Sequence, residues 1–211
     1  MFVDRHEAAT RLAAELGDLA GLPIVVLGIP RGGVEIAAVV AEAVGADMDV
    51  VIPRKVGAPG NPELGLGAVA EGVEVLDARL IRLLAVDDEY LRAEIAAQQE
   101  EIGRRAAAYR QGRPEVDLTG KIAVVVDDGV ATGGTALAAL RWARTKGAAR
   151  VILAVPVAPR EAIARLRIEA DEVRILAAPE PFHAVGQWYA EFSQVSDERV
   201  IELLSAGPAP R

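Results

Sequence analysis

The chain contains no cysteine, which excludes disulfides, thiolate catalysis and Cys-ligated metals. Aromatic residues make up only 4% of the 211 residues, so Ala, Val, Leu and Ile must build the core. Hydrophobic residues reach 52%, which argues against disorder, and the length suits one substantial core. We therefore expect a single domain over residues 1–206, followed by a frayed tail at 207–211.

The sequence also lacks a long apolar run and a cationic leader. Its longest apolar stretch, 22–30, is interrupted by Pro and Gly and cannot span a bilayer. The first five residues do not begin a signal peptide, because no cationic stretch precedes an apolar one. These features predict a cytoplasmic protein with no membrane partner.

Basic residues are also scarce relative to acidic ones. Lys and Arg number 23 against 31 acidic residues, which gives a net charge of −8. Such a surface repels a phosphate backbone, so binding to long nucleic acid is not expected. A small polyanionic ligand would need a local cationic patch, and only three lysines are available to contribute to one.

Helical and strand patterns alternate along the chain. This order predicts an open, mostly parallel, doubly wound α/β sheet flanked by helices. Segment 53–67 holds seven Gly and Pro residues and is predicted to be a loop, whereas 68–76 suits a hairpin or two short strands. The predicted strands are 24–28, 49–53, 122–126, 151–155 and 173–176, and the predicted helices are 4–19, 32–44, 87–109, 135–146, one from Pro159 and one capped by Ser196.

The strand 122–126 leads directly into Asp127 and Asp128, a small-residue loop and a helix. Ligands of doubly wound sheets bind beyond the carboxyl ends of the strands. Two carboxylates there can accept hydrogen bonds from vicinal sugar hydroxyls, while the loop N–H groups and the helix N-terminus can bind a phosphate. The predicted loop residues are Gly129, Val130, Ala131, Thr132, Gly133, Gly134 and Thr135.

Two familiar kinds of phosphate loop do not fit this segment. A Walker A loop needs a lysine after Gly134, where Thr135 stands, and no Gly-x-Gly-x-x-Gly follows any predicted strand. The plain alternative is an ordinary strand-to-helix turn whose acid pair caps the helix.

The segment resembles the signature of the type I phosphoribosyltransferase family. That signature is an apolar strand, two acidic residues, two mostly apolar residues and a Thr/Gly-rich phosphate loop. Gly129 departs from the usual apolar residue, which we expect to weaken the packing of the loop. The resemblance implies transfer of a phosphoribosyl group from phosphoribosyl pyrophosphate, with Mg²⁺, to a nitrogenous acceptor such as a nucleobase. It implies that Asp127 and Asp128 bind the ribose and contact the metal indirectly.

The resemblance also assigns two cationic loops. It places the pyrophosphate-binding loop, with a strained backbone, at Pro30, Arg31, Gly32 and Gly33, where the Arg31 fork would grip the leaving group. It makes 53–67 a mobile lid in which Lys55 supplies a catalytic cation and Asn61 or Glu63 touches ligand. The alternatives are a surface arginine beside a helix start and a merely long connector.

The acceptor is the least determined part. The resemblance assigns its selection to a small hood region, formed by 177–195 and the N-terminal helix. Phe182, Trp188 and Tyr189 lie there and could stack a base, although a packing cluster or a homodimer contact is an equal alternative. Enzymes for hypoxanthine and guanine usually place an Asp where Ala131 stands, which argues against those purines, and the loop looks closer to adenine phosphoribosyltransferase.

Two other functions remain open at this stage. A domain that senses phosphoribosyl pyrophosphate or a nucleotide without transfer is the first alternative, although no basic helix-turn-helix accompanies it. Hydrolysis or phosphorolysis of a nucleotide is the other.

Overall fold

A computed structural model of the chain describes residues 1–206, and the predicted frayed tail, 207–211, lies outside them. The strands are β1 (Ile24–Gly28), β2 (Asp47–Val50), β3 (Arg54–Ala58), β4 (Asn61–Ala70), β5 (Val73–Leu76), β6 (Ile122–Val126), β7 (Arg150–Val157) and β8 (Glu172–Ala177). The helices are α1 (Arg5–Glu15), α2 (Gly32–Val44), α3 (Ala78–Leu83), α4 (Asp88–Arg110), α5 (Gly134–Thr145), α6 (Arg160–Leu166) and α7 (Asp197–Ala206).

Five of the strands form one parallel sheet in the order β2-β1-β6-β7-β8. Its middle strands are apolar on both faces because helices cover both, and two separate hydrophobic clusters fill the two sides. The predicted open, doubly wound α/β sheet is confirmed. Within residues 1–206, no helix combines the length and the apolar character that crossing a membrane requires.

The prediction of a loop at 53–67 is wrong. The segment forms most of a second, antiparallel sheet in the order β3-β4-β5. Its glycines permit close approach and a register shift at Gly57: a methyl group on Gly57 would lie 2.9 Å from the Pro62 Cα, and Gly67 has a φ of +155°. Only Pro59 and Gly60 form the connecting turn, so the Gly and Pro count misled the assignment.

Two smaller differences follow from local signals. The second predicted strand lies earlier than expected, at Asp47–Val50, with 51–53 leading into β3. The helix α3 was missed, although Asp77 caps it by accepting hydrogen bonds from the N–H groups of Arg79 and Leu80. The predicted cap of the last helix is present, since the Arg199 N–H donates to the Ser196 hydroxyl over 3.2 Å.

The N-terminal residues pair with the segment 188–190. The Phe2 N–H donates to the Trp188 carbonyl over 2.7 Å, and the Ala190 N–H donates to the Phe2 carbonyl over 2.8 Å. This pairing brings the N-terminal residues and the segment 177–195 together beside the carboxyl end of the sheet, where the predicted hood should lie.

The hairpin geometry predicts a specific sensitivity at Gly67. A methyl group there would lie 2.1 Å from the Val75 carbonyl oxygen on a backbone that L-residues rarely adopt. Gly67→Ala should therefore lower the free energy of unfolding by about 2 kcal/mol or more. Thermal unfolding measures the loss. Gly103→Ala is the control, because Gly103 lies within α4 with open space around it and should gain stability.

Candidate functional site

The candidate site lies where β1 and β6 end side by side. Because these strands are parallel neighbours, the residues that follow them meet at one edge of the sheet. A methyl group on Gly32 would lie 1.8 Å from Oδ2 of Asp128, and one on Gly33 would lie 2.8 Å from the Cα of Asp127. Only glycine permits this approach. The structure thus joins the predicted pyrophosphate loop, which contains a cis Pro30–Arg31 peptide bond, to the acid pair.

The acid pair is half-buried at the end of β6. Burial, and next the charge of Asp128, raise the pKa of Asp127 well above its usual range. Burial also raises the pKa of Asp128, against the opposing effect of a hydrogen bond from Arg5. The Asp128 side chain is 15% exposed. The N-terminal residues and the tail cover it, an arrangement of distant segments that no local pattern predicts.

Sequence reasoning missed Arg5. Its Nε donates to Oδ2 of Asp128 over 2.8 Å, and the residue is only 8% exposed. The signal was present in the helix periodicity, because Arg5 shares the face of α1 that carries Ala8 and Leu12. A charged residue on a buried face requires a buried partner.

The loop after the acid pair presents an uncapped helix N-terminus. Gly133 takes the left-handed conformation at φ +84°, and no side chain caps α5. The Val130 N–H donates to the Val157 carbonyl over 2.9 Å and holds the loop against β7. Thr132 is exposed and Thr135 half-buried. Free N–H groups and the helix dipole therefore lie next to the acid pair.

Gly129 does not loosen this loop, contrary to expectation. A methyl group there would lie 2.5 Å from Cγ1 of Val185 and 2.9 Å from Cγ1 of Val157. The tail residue Val185 fills the space that an apolar side chain would otherwise occupy. The departure from the family pattern is matched by a contact from a segment far along the chain.

Both predicted cations pair with carboxylates of the chain itself. Lys55 Nζ lies 3.0 Å from the carboxylate of Glu63 in the same hairpin, and Arg31 lies 3.7 Å from Asp197 at the start of α7. The hairpin nevertheless borders the phosphate loop. Ala68 is the cross-strand partner of Lys55 and shares its face, and its Cβ lies 4.0 Å from a methyl group placed on Gly134.

The aromatic residues separate into two groups. Tyr189 is 5% exposed, packs between Phe2 and Phe192, and donates its hydroxyl to the Asp128 carbonyl over 2.5 Å. It therefore packs in the core and offers no face to a base, which favours the packing alternative for this ring. Phe182 and Trp188 stack on each other with ring centroids 6.2 Å apart and stay half-buried.

Comparison with known proteins places this geometry among phosphoribosyl transferases. A family model described as a phosphoribosyl transferase domain matches residues 4–186. A Mycobacterium tuberculosis H37Rv protein, provisionally named phosphoribosyl transferase Rv0571c, is 47% identical over 205 residues, which cover 97% of this chain and 46% of that protein. The chain thus spans about half the length of the curated relative it matches.

Solved structures agree on the fold. TT1426 from Thermus thermophilus has a TM-score of 0.81 and 48% identity, over 96% of this chain and 97% of that one. AQ2163 from Aquifex aeolicus has a TM-score of 0.51 and 18% identity, over 82% of this chain and 73% of that one, a likeness of fold alone.

The burial of the acid pair predicts opposite stability effects for its two members. Asp127→Asn removes a buried charge whose raised pKa marks it as unfavourable at neutral pH, so it should raise the melting temperature at pH 7. Asp128→Asn also removes the burial cost that raises the pKa of Asp128, but it leaves the buried Arg5 without its nearest carboxylate. We expect the second effect to dominate and to lower the free energy of unfolding by about 3 kcal/mol.

Thermal unfolding between pH 4 and pH 7 measures both effects. A carboxyl group with a raised pKa becomes less unfavourable as it gains its proton, so the advantage of Asp127→Asn should shrink as pH falls. Equal losses of stability in both variants would show that Arg5 does not distinguish the two acids.

Proposed function

The chain belongs to the phosphoribosyl transferase domain family, and from that membership we propose that this domain transfers the phosphoribosyl group of phosphoribosyl pyrophosphate to a nitrogenous acceptor. The bond from C1 of the ribose to the pyrophosphate oxygen breaks, and a bond from C1 to the acceptor nitrogen forms. Pyrophosphate leaves, and the acceptor loses a proton. The full-length relatives are longer, so the proposal concerns the activity of this domain.

One observation carries the proposal: the uncapped N-terminus of α5 lies directly after a half-buried pair of carboxylates. A ribose 5-phosphate has vicinal hydroxyls at one end and a dianion at the other. The acid pair accepts hydrogen bonds from the hydroxyls, and the N–H groups of 132–135 donate to the phosphate. Within the described part of the chain, no side chain caps this helix N-terminus.

The leaving group is assigned to the glycine loop beside the acid pair. Gly32 and Gly33 let the backbone approach closely, and Arg31 at 30–33 provides a planar cation that suits a pyrophosphate. As the C1–oxygen bond breaks, positive charge grows on the sugar and negative charge on the pyrophosphate. The half-buried carboxylates favour the first, and Arg31 and Lys55 stabilise the second.

Magnesium is compatible with the residues present. Among residues 1–206 no three His, Cys, Asp or Glu side chains gather as a protein-only metal site. Mg²⁺ usually binds through one or two carboxylates together with waters and substrate phosphates, a requirement that Asp127 and Asp128 meet. When bound, the ion neutralises charge on the pyrophosphate while the acid pair orients the ribose hydroxyls.

The acceptor pocket is assigned to the hood. Phe182 and Trp188 remain partly accessible and supply the flat apolar surface that a nucleobase needs, whereas Tyr189 holds the tail in place. Ala131 is exposed beside the loop and leaves room for an acceptor ring.

The pairing of both cations with internal carboxylates favours one alternative, a domain that binds phosphoribosyl pyrophosphate without transferring its ribose. Lys55 pairs with Glu63, and Arg31 pairs with Asp197, so a carboxylate of the chain already engages each cation. For catalysis each cation must exchange its carboxylate for pyrophosphate, which makes Lys55 the discriminating residue.

Turnover measurements test the proposal. The wild-type protein, incubated with phosphoribosyl pyrophosphate, Mg²⁺ and a panel of nucleobases and other amines, should release pyrophosphate with at least one acceptor. Lys55→Ala should lower kcat at least tenfold with little change in substrate affinity, because its charge matters most as pyrophosphate leaves.

The matched variant is Glu63→Gln, which frees Lys55 from its carboxylate and leaves the cation in place. It should retain turnover. Tight binding of phosphoribosyl pyrophosphate, with no release of pyrophosphate in the presence of any acceptor, would favour the sensing alternative. No binding at all would contradict both.

A further inference from the structure

Arg5 lies outside the predicted loops at 30–33 and 127–135, yet its guanidinium donates to the Asp128 carboxylate over 2.8 Å. The guanidinium is almost fully buried, although arginine is among the residues least often buried without a partner. Its position at the first turn of α1 places it over the carboxyl end of the sheet.

Four groups surround the guanidinium, and they come from different parts of the chain. Nε donates to Oδ2 of Asp128 over 2.8 Å, and an Nη donates to the Ser193 carbonyl over 2.7 Å. The Phe192 ring lies 4.0 Å below the guanidinium carbon, and the Glu35 carboxylate of α2 lies 3.8 Å away. The arginine therefore links the N-terminal helix and the tail to one carboxylate of the acid pair.

The contact fixes the orientation of the carboxylate. Oδ2 of Asp128 is enclosed between Arg5 and the Gly32 backbone, since a methyl group on Gly32 would lie 1.8 Å from this oxygen and 2.9 Å from Nε of Arg5. The Tyr189 hydroxyl holds the backbone carbonyl of the same aspartate over 2.5 Å. Both contacts come from the hood region, so the position of Asp128 depends on the packing of the N-terminal helix and the tail.

We propose that Arg5 is a positioning residue, which holds the Asp128 carboxylate in the orientation that accepts the ribose hydroxyls and thereby links the N-terminal helix and the tail to ribose binding. This inference rests on the proposed function. It requires no contact between Arg5 and substrate. A merely structural arginine would stabilise the fold without selecting which part of the ligand is recognised.

The test compares two ligands in the presence of Mg²⁺: phosphoribosyl pyrophosphate, which has the ribose, and inorganic pyrophosphate, which lacks it. Arg5→Met keeps much of the apolar side chain and removes the donors. It should weaken binding of phosphoribosyl pyrophosphate roughly tenfold to a hundredfold, the effect of one charge-assisted hydrogen bond. Binding of inorganic pyrophosphate to the loop at 30–33 should stay within about twofold of the wild type.

Two further variants accompany this comparison. Arg5→Lys retains the charge but not the planar fork, so it should recover part of the affinity and serves where Arg5→Met does not fold. Arg11→Met is the matched control, because Arg11 lies on the same helix, is exposed, and among residues 1–206 pairs with Glu7 and the Phe2 ring. It should leave both affinities unchanged.

Isothermal calorimetry with thermal unfolding of each variant separates the outcomes. Equal weakening of both ligands, or unchanged affinity for phosphoribosyl pyrophosphate in a folded Arg5→Met, would overturn the inference. A wild-type protein that binds neither ligand would instead contradict the proposed function itself.

Discussion

The close approach of the Gly32 backbone to the Asp128 carboxylate sets the geometry around the site. Because β1 and β6 are parallel neighbours, their following loops must share one small space, and any side chain at Gly32 would enter the carboxylate. This packing partly shields the acid pair from solvent, and Arg5 donates a hydrogen bond to the same oxygen, Oδ2 of Asp128, from the other side. The glycine loop, the carboxylates and the N-terminal helix thus form one packed unit.

This packing has an electrostatic consequence. Burial raises the pKa of both adjacent carboxyl groups, and the charge of Asp128 raises that of Asp127 further. Such an arrangement is unfavourable for the fold alone and is typical of groups retained for binding or chemistry. A ligand that offers hydroxyl donors, together with a cation, relieves the electrostatic cost that folding creates. The site is therefore arranged to gain from the ligand that the family membership implies.

Much of the fold followed from sequence because its signals are local. Strand β6 is apolar throughout and ends at two acids, and the last helix begins at a serine cap, so both were predicted correctly. The hairpin at 54–70 was not, because its glycines serve close crossings and a bulge that only the partner strand reveals. The same reason explains the missed Arg5, whose partners Asp128 and Ser193 lie far along the chain.

In the candidate site too, the local motif was predicted from the sequence and its long-range contacts were not. The residues of 127–135 came from one contiguous motif, and the structure places them together at the end of β6. The motif does not predict the residues that surround it. Val185 fills the space above Gly129, and Tyr189 packs in the core. Lys55 and Arg31 pair with carboxylates of the chain itself. Each of these depends on a segment that contacts the motif only after folding.

A crystal structure of the protein with phosphoribosyl pyrophosphate and Mg²⁺ would test the proposed site most directly. We expect the 5′-phosphate within hydrogen-bond distance of the backbone N–H groups of 132–135, at the start of α5, with the ribose hydroxyls on Asp127 and Asp128. A 5′-phosphate bound elsewhere, with the N-terminus of α5 unoccupied and the acid pair not in contact with the ribose, would contradict the proposed site.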